Sequence, residues 1–271
     1  MPLTAALKIV LAVLVVYCVI VAIVFLLQRR MLYFPTLERP PANLVRATGM
    51  AYWPGSTSDY RGFVGDEPAE VRATIVVFHG NAGGAVDRSY YVHALAPLGY
   101  RVLLAEYPGY GGRSGKPSEE VLVADAVETV ELAHEEFGGP VYVWGESLGA
   151  GVVAAAAANT DIPIAGLVLV TPWDSLPELA QYIYWFFPVR WLMLDQYNSV
   201  ENVASYAGHV AVVVAERDEI IPTRHSMNLF DAVPGNKRLW VLADANHNSW
   251  PVQPDAPWWR EVVDFITATG E

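Results

Sequence analysis

Gly145-Glu146-Ser147-Leu148-Gly149 sets a serine hydroxyl between glycines at a point where the chain changes character. From Val141 to Trp144 the residues read as a buried β-strand. From Leu148 onward, small residues and valines read as a tightly packed helix. In a strand-turn-helix of the form G-x-S-x-G, the glycines permit a cramped turn in which side chains would collide, and the serine is presented at the carboxyl end of the strand as a nucleophile. The plainer alternative is a serine that N-caps a helix beside glycines chosen for helix–strand contact. The strand before and the helix after favour the nucleophile.

Serine is a weak nucleophile until a base takes its proton and a third group fixes that base. Of the six histidines, His79 ends the first central strand, His93 and His134 fall on helices, His209 precedes a strand and His225 follows Pro222 on a helix. His247 alone sits in a loop after the last expected strand, in "LADANHNSW", where it reaches the same carboxyl edge as Ser147. Two acids end strands at that edge. Asp218 ends "VAVVVAERD" and Asp174 follows the preceding strand in "TPWDS". Asp218 is favoured because it gives the order serine, acid, histidine and precedes "EIIP", where Pro222 can open a helix. Asp174 then caps the insertion that follows or lines the pocket.

Acyl transfer also needs donors for the oxyanion of the tetrahedral intermediate. The backbone N–H of Leu148, directly after the serine, is one candidate, and the N–H of Asn81 in "HGNAGG" is the second. His79 and Gly80 shape that loop, which lacks the spacings of the phosphate-binding glycine motifs. "YPGYGG", Tyr107 to Gly112, is either a pocket wall or a structural turn.

These residues must be positioned by alternating elements. Strands are expected at "ATIVVFHG", "YRVLLAEYPG", Val141, "AGLVLVTP", "VAVVVAERD" and "KRLWVLADA", with helices between them and a terminal helix from about Pro257. Continuous apolar strands separated by helices imply an α/β domain with a mostly parallel sheet covered on both faces. "AYWPGSTSDYRGFVG" is expected to add antiparallel strands at one edge.

Composition narrows the partners. The 271-residue chain carries a formal net charge of -12 with only 17 Lys and Arg, which argues against nucleic acid as a partner. The single cysteine, Cys18, lies in an apolar run, so neither a disulfide nor a thiolate site is expected, and no metal or other cofactor is implied.

That run, Ile9 to Leu27, is uncharged and long enough as a helix to cross a bilayer, which takes about 20 residues. It exceeds the h-region of a signal peptide, and no small-x-small cleavage site follows it before "QRRMLYFP". The expected organisation is an amino-terminal transmembrane anchor over 1–30, a linker over 31–49 and a catalytic domain over 50–271 with a short helical insertion at about 174–205. Lys8 and the amino terminus flank one side of the anchor, and Arg29, Arg30, Arg39 and Arg46 flank the other, which favours a cytoplasmic domain. The insertion is rich in aromatics from Tyr182 to Leu194 and is expected to cap the pocket or to dip into the membrane interface. Removing Met1 to Arg30 is expected to spare hydrolysis of a soluble ester.

Ser147, Asp218, His247 and "HGNAGG" together resemble the α/β-hydrolase fold. "YFP", "FHGNAGG", "YPGYGGRSG", "GESLGAG" and "RDEIIP" behind an amino-terminal anchor resemble, more narrowly, the membrane-anchored serine hydrolases that include lysophospholipid lipases and protein depalmitoylases. The resemblance implies cleavage of an ester or thioester through an acyl-enzyme, on lipid, acyl-ester or acyl-thioester substrates. A serine peptidase or acyltransferase on the same fold, or a non-catalytic membrane-anchored binding protein, is the alternative. Oligomeric state is not legible.

Overall fold

The computed structural model describes residues 4–55 and 59–268. Residues 1–3 of the expected anchor, 56–58 of the expected edge strands and 269–271 of the expected catalytic domain lie outside the described residues.

The apolar run lies in one helix, α1 (Ala5–Leu32), N-capped by Thr4 and ending with Arg29 and Arg30 in its last turn, where cations suit the helix dipole. The expected linker carries a two-residue strand, β1 (Phe34–Pro35), and a short helix, α2 (Ala42–Ala47). Then follow β2 (Met50–Trp53), β3 (Gly62–Gly65), β4 (Ala73–Phe78), β5 (Ala82–Gly83), α3 (Ser89–Leu95) and β6 (Tyr100–Ala105). The next elements are α4 (Glu119–Phe137), β7 (Val141–Glu146), α5 (Leu148–Asn159) and β8 (Ile164–Val170). The insertion holds α6 (Leu176–Ile183), α7 (Val189–Leu192) and α8 (Ser199–Val203). The chain closes with β9 (His209–Ala215), α9 (Thr223–Ala232), β10 (Lys237–Leu242) and α10 (Pro257–Ile266).

Eight strands form one sheet in the order β10-β9-β8-β7-β4-β6-β3-β2. All neighbours are parallel except at the β2 and β3 edge, which pairs antiparallel. Alternate residues feed opposite cores. Val76 and Phe78 pack with Leu122 and Val152 of α4 and α5 on one face. Ile75 and Val77 pack with Leu95 and Trp259 of α3 and α10 on the other. Burial on both faces is why these strands are apolar without interruption.

After β4 the chain adds β6 on one side and then crosses to place β7 on the other. The strand order therefore reverses between β4 and β7, and the crevice at their carboxyl ends is where ligands bind in open α/β sheets. Those two strands lead into Asn81 and Ser147.

Candidate active site

Ser147 is held at φ 53 and ψ -111, with its N–H donating to the Val170 carbonyl at 2.9 Å. An L-residue in that region costs about 1–3 kcal/mol and persists only where its surroundings enforce it. The glycines do so. A Cβ on Gly145 would lie 2.3 Å from the Gly149 carbonyl oxygen, and one on Gly149 would lie 2.1 Å from that of Phe78. Strand, turn and helix can approach this closely only where both side chains are absent.

The parallel strands deliver the other expected residues to the same edge. The loop after β10 carries His247, whose Nε2 lies 3.0 Å from Ser147 Oγ. The loop after β9 carries Asp218, whose Oδ2 accepts from His247 Nδ1 at 2.8 Å. Because an ionised carboxylate only accepts, the imidazole proton sits on Nδ1 and leaves Nε2 free to take the serine proton. The backbone N–H groups of Ile220 and Ile221 donate to Asp218 Oδ1 at 2.9 and 2.7 Å, which fixes the carboxylate. The His247 and Asp218 side chains are both buried, so the hydrogen bond between them is shielded from water. Asp174, the other acid considered, instead pairs with His225.

Leu148 and Asn81 both line the cavity beside Ser147. Among the described residues, neither backbone N–H is given to a protein acceptor. The Asn81 loop is braced from behind. His79 Nε2 meets Glu106 Oε1 at 2.9 Å, and the other oxygen of Glu106 accepts from the Ala85 N–H. Tyr107 donates to the His79 carbonyl and Tyr110 to that of Asn81, at 2.8 and 2.9 Å. "YPGYGG" is thus a buttress and not a pocket wall, for none of Tyr107 to Gly112 lines the cavity. Two tyrosines facing inward from a glycine turn look the same in sequence whether they meet substrate or backbone.

Glu146, beside the serine, takes the Arg88 guanidinium and the Tyr90 hydroxyl, the latter at 2.8 Å. Burial and then the Glu146 charge push the Tyr90 hydroxyl pKa up, so it stays a donor. Neither Arg88 nor Glu106 was singled out by sequence, because their partners lie 58 and 27 residues away.

The cavity above Ser147 has a volume of about 490 Å³. Its apolar wall comes from the insertion, including Leu176, Leu179, Ile183 and Val189, and from α1, through Val24, Met31 and Leu32, with Gln28 among them. The helix end is locked in place. Arg29 forms a two-pronged pair with Asp195 at 2.9 and 3.1 Å, while Gln28 accepts from the Leu194 N–H at 2.8 Å and donates to the Leu192 carbonyl. Tyr33 donates to Asp195 at 3.1 Å, and burial raises its pKa so that the proton is retained. Asn81 Nδ2 donates to the Leu32 carbonyl at 2.7 Å, and the Phe34 N–H donates to the Asn81 carbonyl.

The segment after the apolar run is therefore built into the site and is not a free tether. Removing Met1 to Arg30 would strip Val24 and Gln28 from the cavity and take the Arg29 guanidinium from Asp195, which keeps the Tyr33 hydroxyl and the Glu119 N–H. The soluble-ester hydrolysis expected to survive this deletion would then run in a cavity without those two wall residues.

A strand-turn-helix serine at the switch point of a doubly covered parallel sheet defines a hydrolase-type α/β protein. The comparisons agree with it. The alpha/beta hydrolase fold family matches residues 73–199. An uncharacterized protein of Mycobacterium tuberculosis is 36% identical over 239 residues, covering 82% of this chain and 80% of the relative. The lysophosphatidylserine lipase ABHD12 of Danio rerio is 30% identical over 184 residues, covering 61% of this chain and 48% of that protein, so the match spans about half its length. Among solved structures, the Pyrococcus furiosus esterase Pf2001 superposes with a TM-score of 0.66 at 19% identity, covering 87% of this chain and 96% of that one. The chain belongs to the α/β-hydrolase family.

Proposed function

We propose that this chain is a membrane-anchored serine hydrolase that cleaves carboxylic ester or thioester bonds of lipid-like acyl substrates. Ser147 is the nucleophile, His247 the general base and acid, Asp218 its orienting carboxylate, and the N–H groups of Asn81 and Leu148 the oxyanion donors. The observation that carries this reading is the unbroken hydrogen-bond chain Asp218–His247–Ser147 opening into an apolar cavity of about 490 Å³. Pockets of this size bury most of a small ligand.

In the acylation step His247 Nε2 takes the Ser147 proton as Oγ attacks the carbonyl carbon, and the negative oxygen turns to the two N–H groups. The imidazolium, stabilised by Asp218, returns the proton to the leaving alcohol or thiol. Water then attacks the acyl-enzyme with His247 again as base, releasing the carboxylic acid and restoring Ser147. The lipase named among the relatives acts on a lysophospholipid, which supports a lipid ester in a cavity of this kind.

Membrane anchoring is supported by the mean hydropathy of 3.4 over an 18-residue stretch of α1 and by its side chains, none of which the domain buries. A cleaved signal segment would take part of the cavity wall with it, which supports a retained helix.

The test is labelling of the full-length protein by a fluorophosphonate, together with hydrolysis of a short p-nitrophenyl ester. Both are expected in the wild type. Folded Ser147→Ala should lose labelling and about a millionfold in turnover. Near-normal turnover by folded Ser147→Ala would overturn the assignment.

A further inference from the structure

The apolar wall of the catalytic cavity continues past its own limits. Val24, Gln28, Val189 and Met193 line the cavity and also a second, narrow apolar groove of about 30 Å³, which runs on between α1 and the insertion to Val21, Phe25 and Phe187. One side of that groove is the helix read here as membrane-spanning.

The insertion climbs far along α1. The Tyr17 hydroxyl donates to the Phe186 carbonyl at 2.9 Å, and its ring stacks on Phe187 with centroids 6.0 Å apart. Tyr17 precedes Leu27, the end of the apolar run, by ten residues. At about 1.5 Å per residue that is about 15 Å, half of a hydrocarbon core about 30 Å thick. With α1 spanning the bilayer, the turn between α6 and α7 would lie beside the helix at the depth of the hydrocarbon core.

Its construction suits that depth. Trp185 and Trp191 are 77% and 80% exposed, and Phe186 and Leu194 are exposed beside them. In water this would be a costly apolar patch, whereas hydrocarbon accepts it. Backbone carbonyls in hydrocarbon must find partners within the protein. Here three successive ones do: Gln181 Nε2 donates to those of Trp185 and Phe187 at 3.3 and 3.1 Å, and Tyr17 donates to that of Phe186. The Phe187 N–H donates to the Tyr184 carbonyl at 2.9 Å. The charges between Leu176 and Leu194, Glu178 and Arg190, are paired with each other at 2.5 Å.

We propose that the turn Tyr184–Pro188 is immersed in the leaflet beside α1, and that the groove between α1 and the insertion carries the hydrocarbon chain of a membrane-resident ester from the bilayer to Ser147 without passage through water. This rests on the serine-hydrolase reading and names where that site takes its substrate from. The anchor is then a wall of the substrate route as well as a tether. Ile220, Ile221 and Asn248 line the cavity but not the groove, and that part of the wall is left to the leaving group and the attacking water.

The test uses full-length protein in phosphatidylcholine vesicles and a long-chain alkyl fluorophosphonate bearing a terminal diazirine. Ser147 Oγ displaces fluoride, forming a P–O bond and tethering the chain, and photolysis then marks what the chain end touches. Crosslinks are expected on residues 21–25 and 187–193. Labelled Ser147 with crosslinks confined to Ile220, Ile221 or Asn248 would overturn the route while leaving the hydrolase reading intact. Absence of any label on Ser147 would remove both. A second arm fills the groove with Val21→Trp. The ratio of kcat/KM on a long-chain to a short-chain ester is expected to fall about tenfold, as expelling two methylenes from an apolar wall would do, and an unchanged ratio counts against the route. Immersion is read separately from a fluorophore on Trp185→Cys in a Cys18→Ser background. Deep-acyl nitroxide lipids should quench it more than headgroup nitroxides, and the reverse order would place the turn at the headgroups and overturn its immersion.

Discussion

Two buried Asp–His pairs stand near the same edge of the sheet, and only one of them meets a nucleophile. His247 Nδ1 donates to Asp218 and His225 Nδ1 to Asp174, both at 2.8 Å. Each carboxylate is further held by other donors, the Ile220 and Ile221 amides for Asp218 and the Ser175 amide with Asn228 Nδ2 for Asp174. The difference lies at the far ring nitrogen. His247 Nε2 meets Ser147 Oγ at 3.0 Å at the floor of the cavity. His225 Nε2 meets Arg224 Nε at 3.4 Å, and that guanidinium lies 3.6 Å from the centroid of the Tyr182 ring. An oriented imidazole thus serves as the proposed general base in one place and as a structural tie between α9, α6 and the loop after β8 in the other. What surrounds Nε2 decides which.

The largest expected effect separates the two histidines. His247→Gln should lower turnover of a short ester by about 10⁵-fold or more, since a base and its nucleophile act as one unit. His225→Gln should leave kcat within about fivefold. Comparable losses in matched steady-state assays would erase the distinction.

The acids should differ next. Asp218→Asn is expected to reduce turnover by about 10⁴-fold because the imidazole loses the carboxylate that fixes its tautomer and stabilises its charge. A drop confined to tenfold would mean that another group orients His247.

The smallest effect on activity is expected at Asp174. Asp174→Asn weakens the tie to His225 and Asn228, so it should cost about 1–3 kcal/mol of stability, the range for a buried polar group left unpaired. Turnover at low temperature should change little. Thermal unfolding with activity measured on the same preparation would check it, and lost turnover with an unmoved Tm would transfer Asp174 to the catalytic machinery.

Much of this comparison was legible beforehand. Ser147 is flanked by glycines that close packing demands, and Asp218 and His247 each follow an apolar strand, so their edge of the sheet could be inferred from element order alone. Asp174 satisfied the same rule, and it ranked second on the order serine, acid, histidine and on the helix start that Pro222 offers just after Asp218. The alternation of strand and helix was visible because burial on both faces leaves a local imprint on residue type. The antiparallel edge was legible on the same grounds.

The brace behind Asn81 and the docking of α1 were not legible. Arg29 read as a juxtamembrane charge, yet it is spent on Asp195, 166 residues away. Tyr107 and Tyr110 read equally as pocket or turn. By itself the sequence determined the parallel sheet, the cramped serine turn, the residues at its carboxyl edge and one apolar helix, because each follows from periodicity or steric need within a few neighbouring residues. Only the tertiary structure decided which histidine each acid holds, and that the apolar helix forms a wall of the cavity. Those pairings join segments whose separation along the chain has no period, and they exist only once both sheet faces are packed.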